Sequence, residues 1–192
     1  RQQNIYLTLH CIDLAHSMGI PTMRLNTGRW RTVGFDELMK RRGIEPRLPG
    51  YTDEDGIKWV IDSIEKCLAT AATAGVDTLQ FHGNEPPDFC ARFELRTIKA
   101  FRVKDSDSLG QLPDYDTDAW LLDSYVKGMP GGTGERFNWD LAVAAKRLGC
   151  PILLAGGLTP DNATEAVAQV SPFGLDVSSG VEAAPGRKDA AK

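Results

Sequence analysis

The chain has 192 residues, 42% of them hydrophobic and 25% charged, with a formal net charge of −4. That length suits one well-buried domain better than two. The mild acidity offers no basic face for nucleic acid, no apolar run approaches the roughly 18 residues of a membrane span, and the opening RQQNIYLTLH lacks the apolar core of a signal peptide. The four cysteines, Cys11, Cys67, Cys90 and Cys150, form no C-x-x-C pair. Such scatter fits reduced thiols in a cytoplasm better than a disulfide framework or a zinc site. The chain opens on Arg1 rather than methionine, as a processed, trimmed or partial chain would.

In chain order, Ile5, Leu9, Ile12 and Ala15 recur at helical spacing and predict a helix over 2–18, stopped by Gly19 and Pro21. The alternation Ile5-Leu7-Leu9 is also compatible with a short strand. Residues 20–28 then read as a strand. Residues 29–51 are loop-rich, broken by Gly34, Gly43, Pro46, Pro49 and Gly50, with a short helix at 35–42. Thr52 or Asp53 caps a long helix to about Ala74, with Ile57, Val60, Ile61, Ile64, Cys67 and Leu68 on one face.

After Gly75 strands and helices alternate regularly. A strand at 77–83 precedes a helix near 86–94, and strands at 98–103 and 119–124 follow, the second reached through a polar connection. A Gly-rich loop leads to a helix at 138–148, a strand at 151–157, a helix at 160–169 and a strand at 173–180. The strands are short continuous apolar runs, as when helices cover a parallel sheet. The chain therefore reads as α/β, either a (β/α)-barrel of the TIM type or an open doubly wound sheet. No G-x-G-x-x-G opens a helix, which weighs against the second. The count is six strands, two short of the eight of a closed barrel.

Four segments carry a specific likeness: LQFHGNEP (79–86), WLLDSYVKGMPGGTGERFNWDLA (120–142), ILLAGGLTPDNA (152–163) and GLDVSSGVEAAPGRKD (174–189). In order and spacing, residues 77–192 resemble strands four to eight of the phosphoribosylanthranilate isomerases, (β/α)-barrel enzymes of tryptophan biosynthesis. The resemblance implies an Amadori rearrangement of N-(5-phosphoribosyl)anthranilate to its 1-deoxyribulose form, without metal or cofactor. A general acid protonates the ribose ring oxygen as the ring opens, and a cysteine in a K-I-C-G motif on the first strand takes the proton from C2.

Asp123, in LLDS, matches the general acid. A carboxyl at the C-terminal end of a barrel strand faces the active-site mouth; the plainer reading is a strand-end carboxylate that caps the next loop. The phosphate is expected on the loops after the last two strands, at Gly156 and Gly157 and at Ser178, Ser179 and Gly180, where glycines let backbone N–H groups approach an anion. Gly131, Gly132, Thr133 and Gly134 form a loop expected to close over the substrate, and no G-K-[ST] makes it a P-loop. His82, beside Gln80 on the fourth strand, is assigned substrate-side polarity at most. Arg102, ending the next strand, faces the anionic substrate or makes a surface salt bridge.

The front does not match this family. It has no K-I-C-G motif, and Cys11 in HCIDLA sits in a helical context, so the general base is not carried onto it. Residues 1–76, through HCIDLAHSMGIPTMRLNTGRW (10–30) and GIEPRLPGYTDEDGIKWVIDSIEKCLATAATAGV (43–76), resemble instead the sugar-phosphate isomerases and epimerases with the xylose-isomerase-like barrel. LQFHG stands where that family's metal-ligating strand should follow, so its divalent-metal site is not assembled, and Asp62 and Glu65 read as solvated charges. The expectation is one composite domain, 1–76 with 77–192, taking a phosphorylated small molecule and no metal. An exposed sheet edge in such a chain favours homo-oligomerisation. Two alternatives stand beside the isomerase: a metal-dependent sugar-phosphate isomerase or epimerase, and a non-catalytic phosphate-binding fragment.

Overall fold

The computed structural model describes Leu9, residues 11–13, 16–17, 48–124, 138–184 and 187–192. Two compact units divide the chain, Arg1–Asp77 and Thr78–Lys192. The strand expected at 20–28, the helix expected at 35–42 and the glycine loop with Gly132 lie outside the described residues.

In the first unit, Leu9, Cys11, Ile12, Asp13, His16 and Ser17 are helical, within the helix expected there. Helix α1, Asp53–Thr73, starts on a capping box. Thr52 Oγ1 accepts from Asp55 N at 3.1 Å, and Asp55 Oδ2 accepts from Thr52 N at 2.8 Å. These bonds satisfy two of the first-turn donors and hold the Asp55 carboxyl below its ordinary range. Ile64, Cys67 and Ala71 are buried along one stripe. At the other end Gly75 takes φ +77°, and Val76 N donates to Ala71 O while Gly75 N donates to Ala72 O, the paired bonds that close a helix on glycine. Asp62 pairs with Lys66 at 2.8 Å on the exposed face, as a solvated charge should.

The second unit is built on a five-stranded parallel sheet in sequential order: β1 (Thr78–Phe81), β2 (Arg96–Val103), β3 (Ala119–Ser124), β4 (Ile152–Leu154) and β5 (Gly174–Leu175). Helices α2 (Pro87–Cys90), α3 (Trp139–Lys146) and α4 (Pro160–Val170) occupy the crossovers after β1, β3 and β4. This is the α/β, barrel-type order expected from the sequence. An antiparallel ribbon of β6 (Glu182–Ala184) and β7 (Arg187–Lys188) follows.

The pleat sorts the core into two faces. Phe101, Val103, Trp120, Leu122, Ile152 and Leu154 pack with Trp139, Ala142, Ala145, Leu158, Ala166 and Val170 on the helix side. Ala100, Leu121 and Ala155, flanked by Ile98 and Leu153, form a smaller cluster on the other face. All six residues of β3 are buried, which is why that segment reads as an unbroken apolar run.

Four boundaries differ from expectation for local reasons. The helix expected near 86–94 is only Pro87–Cys90, because Phe93 turns back onto Phe81 and Phe89, with ring centroids 5.5 and 5.7 Å apart. Strand β2 begins at Arg96, extended by pairing with Thr78 and by Thr97 N donating to Asp118 Oδ2 at 2.7 Å. Strand β4 stops at Leu154 because Gly156 and Gly157 turn to φ +80° and +70°. Strand β5 covers only Gly174–Leu175, and Ser179–Val181 forms a 3-10 turn where a strand was expected to continue. Among the described residues no helix is long and apolar enough to cross a membrane, and no group of three His, Cys, Asp or Glu is placed to hold a metal ion.

Leu122 is fully buried between sheet and helices, whereas Val167 on α4 is 47% exposed. Leu122→Ala is expected to cost about 2–5 kcal/mol, read as a lower urea midpoint, while Val167→Ala stays within about 0.5 kcal/mol of the parent.

Candidate active site

Because the five strands are parallel and adjacent, their C-terminal ends lie along one edge of the sheet. His82 follows β1, Arg102 and Asp123 lie near the ends of β2 and β3, Gly156 and Gly157 follow β4, and Ser178, Ser179 and Gly180 follow β5. Apart from Gly132, every site residue expected from the sequence therefore comes to this edge.

Asp123 is 6% exposed. Its Oδ1 accepts from Ser124 N at 2.8 Å, which fixes the carboxylate plane, and its Oδ2 stands 3.6 Å from His82 Nε2. That is ion-pair range but too long for a hydrogen bond. The approach is informative because β2 separates β1 from β3. Side chains two strands apart meet only if the sheet curves toward this face. Arg102 pairs in register with Asp123 and is exposed, without an ion pair among the described residues.

Two glycines bring the later loops against Asp123's strand. A Cβ on Gly156 would collide with the backbone N and side chain of Ser124, and one on Gly180 would collide with the carbonyl of Leu158. The loop after β4 thus leans on the end of β3, and the loop after β5 leans on the loop after β4. Asn162 reinforces this: its Oδ1 accepts from Thr159 N at 2.9 Å, and its Nδ2 donates to Gly157 O at 2.9 Å. Lys188 on β7 donates to Ser178 O at 2.6 Å and to Glu182 Oε1 at 3.1 Å, tying the ribbon back to the serine turn. Ser178 and Ser179 remain exposed and able to meet a ligand.

The cysteines do not supply an evident base. Cys90 is 1% exposed on the helix side, and burial pushes its thiol up to about 11, so it stays protonated at neutral pH. Burial also raises Cys67 and Cys150. Cys11 is exposed, on a helical stretch of the first unit, as its sequence context indicates.

Asn162, Lys188 and the group Lys99, Glu85 and Tyr115 were not singled out from the sequence. The one available signal was Lys99, a charge inside the apolar run IKAF.

A buried carboxylate, close-packed glycines and exposed serines thus stand along the C-terminal edge of a parallel βα sheet, the end at which barrel enzymes carry their active sites. The family model described as N-(5'-phosphoribosyl)anthranilate (PRA) isomerase matches residues 60–192. The chain belongs to this isomerase family of tryptophan biosynthesis. It is 53% identical over 150 residues to the N-(5'-phosphoribosyl)anthranilate isomerase of Geobacter metallireducens, covering 78% of this chain and 73% of that relative. It is 58% identical over 124 residues to that of Geotalea uraniireducens, covering 65% and 61%. The chain thus spans about three-fifths to three-quarters of the length of these relatives. The crystal structure of phosphoribosyl anthranilate isomerase from Thermotoga maritima matches with a TM-score of 0.58 at 35% identity, over 65% of this chain and 62% of that one. A phosphoribosyl anthranilate isomerase in complex with reduced 1-(o-carboxyphenylamino)-1-deoxyribulose 5-phosphate matches with a TM-score of 0.54 at 34% identity, over 65% and 59%.

Gly156→Ala is expected to destabilise the chain by about 1–3 kcal/mol, through the positive φ and the contact with Ser124. Gly75→Ala, also at positive φ but with open space around the added methyl, should cost less. Urea titration of both variants checks the order.

Proposed function

We propose that the strand-end site binds N-(5'-phosphoribosyl)anthranilate and carries the acid half of its Amadori rearrangement. The observation behind this is Asp123: buried, fixed by Ser124 N, and facing the same strand edge as the cradle of Gly156, Gly157, Ser178, Ser179 and Gly180. In this reading the cradle holds the phosphate through backbone N–H groups and serine hydroxyls. The sugar then lies across the edge toward β3 and β1. Asp123 delivers a proton to the ribose ring oxygen as the bond to C1 breaks, and His82 and Arg102 line the substrate side. Asp123 regains its proton from solvent, whereas the proton that leaves C2 needs a base, and the K-I-C-G motif that takes it in this family does not occur in these 192 residues. We therefore expect weak or absent turnover.

The likeness of residues 1–76 to sugar-phosphate isomerases and epimerases is the ground for reading the chain as a composite of two barrel families, and the isomerase family model, which starts at residue 60, puts any junction ahead of the expected boundary at 76 and 77. We also propose self-association. It is supported by Phe173, 79% exposed, and Leu175, 36% exposed, beside or on the edge strand β5. A similar isomerase, that of Thermotoga maritima, is itself dimeric.

The test follows the fluorescence of freshly prepared phosphoribosylanthranilate with the purified chain and with Asp123→Asn. The expected result is slow consumption by the parent and a loss of about 10²-fold or more in the variant. Consumption that is indifferent to Asp123→Asn would remove the acid role. A parent chain that neither consumes the substrate nor binds it would remove the isomerase reading.

A further inference from the structure

Lys99 sits on β2 in register with Phe81 of β1, and it is 2% exposed, on the helix side of the sheet. An ammonium that deep persists only with partners. Its Nζ donates to Gly83 O at 2.8 Å, to Glu85 Oε2 at 3.0 Å and to Ala100 O at 3.3 Å, and lies 5.7 Å from the ring centroids of both Phe101 and Tyr115. Glu85 Oε2 accepts in turn from Gly83 N at 2.9 Å, and the Tyr115 hydroxyl donates to Glu85 O at 3.0 Å. Both polar backbone groups of Gly83 are thus held by one ion pair, its lysine buried and its glutamate 27% exposed, and Tyr115 closes the far side of the loop. A Cβ on Gly83 would meet Glu85 Oε1 at 2.7 Å, so the carboxylate lies close against this residue.

The residue before this clamp is His82, whose imidazole reaches across β2 to Asp123. We propose that Lys99 is a positioning residue: through Glu85 and Gly83 it sets where His82 stands against Asp123, a role that rests on the isomerase reading of that pair. Fold stability alone gives little reason for the arrangement. A buried ion pair is seldom better than apolar side chains of the same volume, and the surrounding face is otherwise aromatic and aliphatic. What the pair supplies is direction, since an ammonium with three oxygens around it permits one loop geometry. An error of about 1 Å at a reacting pair is enough to cost activity.

The test is NMR on the full chain with labelled histidine, the His82 signal being assigned by its loss in His82→Gln. Replacing Asp123 by Asn displaces that signal in the parent, because the carboxylate lies 3.6 Å from Nε2. In a Lys99→Met background the same replacement is expected to displace it about threefold less, the signature of lost coupling between His82 and Asp123. Circular dichroism and a cooperative melt establish that the variant is folded. If Lys99→Met does not fold, Glu85→Gln takes its place, with a smaller displacement expected in the same sense. An undiminished displacement in a folded Lys99 or Glu85 variant overturns the proposal and leaves the pair as core packing. Binding of reduced 1-(o-carboxyphenylamino)-1-deoxyribulose 5-phosphate by the parent reads the isomerase assignment separately. A chain that shows the coupling without binding that ligand keeps the clamp and loses the assignment.

Discussion

The candidate site depends on how closely the end of β3 and the loops after β4 and β5 approach one another, and glycine decides it at two points. Gly156 rests on the backbone of Ser124, and Gly180 rests on the carbonyl of Leu158. A methyl group at either place would wedge the loops apart. The carboxylate on β3 and the serine turn after β5 would then no longer share one continuous edge. Parallel pairing puts the loops at the same end of the sheet, and these contacts join them into one surface.

A second constraint operates at the other side of the site. β1 and β3 are not neighbours, yet His82 and Asp123 come within 3.6 Å. Curvature brings the strands around, and the pair of buried Lys99 with half-buried Glu85 fixes the loop on which the histidine rides. The apolar helix face, with Leu122, Ile152, Leu154 and Ala166 almost fully buried, serves as the rigid backing for both. Precision in the site is thus drawn from contacts made on the opposite face of the same strands.

Much of this was legible in the sequence. Unbroken apolar runs such as AWLLDS mark strands buried on both faces, and Thr52 ahead of an apolar-periodic stretch marks the start of the long helix, which the structure caps with Thr52 and Asp55. The segments around Asp123, Gly156 and Ser178 fall at the C-terminal strand edge that the sequence indicated for them. The boundaries were less legible because they depend on partners far along the chain. Asp118 extends β2 through Thr97, Phe93 cuts α2 short by packing on Phe81, and the glycine φ values end β4 early. Lys99 was hidden for the same reason. Its role is written in Gly83, Glu85 and Tyr115, 14 to 16 residues away along the chain, and no local pattern joins them.

The central claim is that acid and cradle form one site along this edge, and a ligand footprint tests it directly. The isotope-labelled chain would be titrated with reduced 1-(o-carboxyphenylamino)-1-deoxyribulose 5-phosphate while amide signals are followed residue by residue. The account predicts saturable shifts at Gly157, Ser178, Ser179 and Gly180 for the phosphate end, and at Gly83, Asp123 and Ser124 for the sugar end. Shifts at only one of these groups, or only at the opposite end of the strands, would contradict a single continuous site.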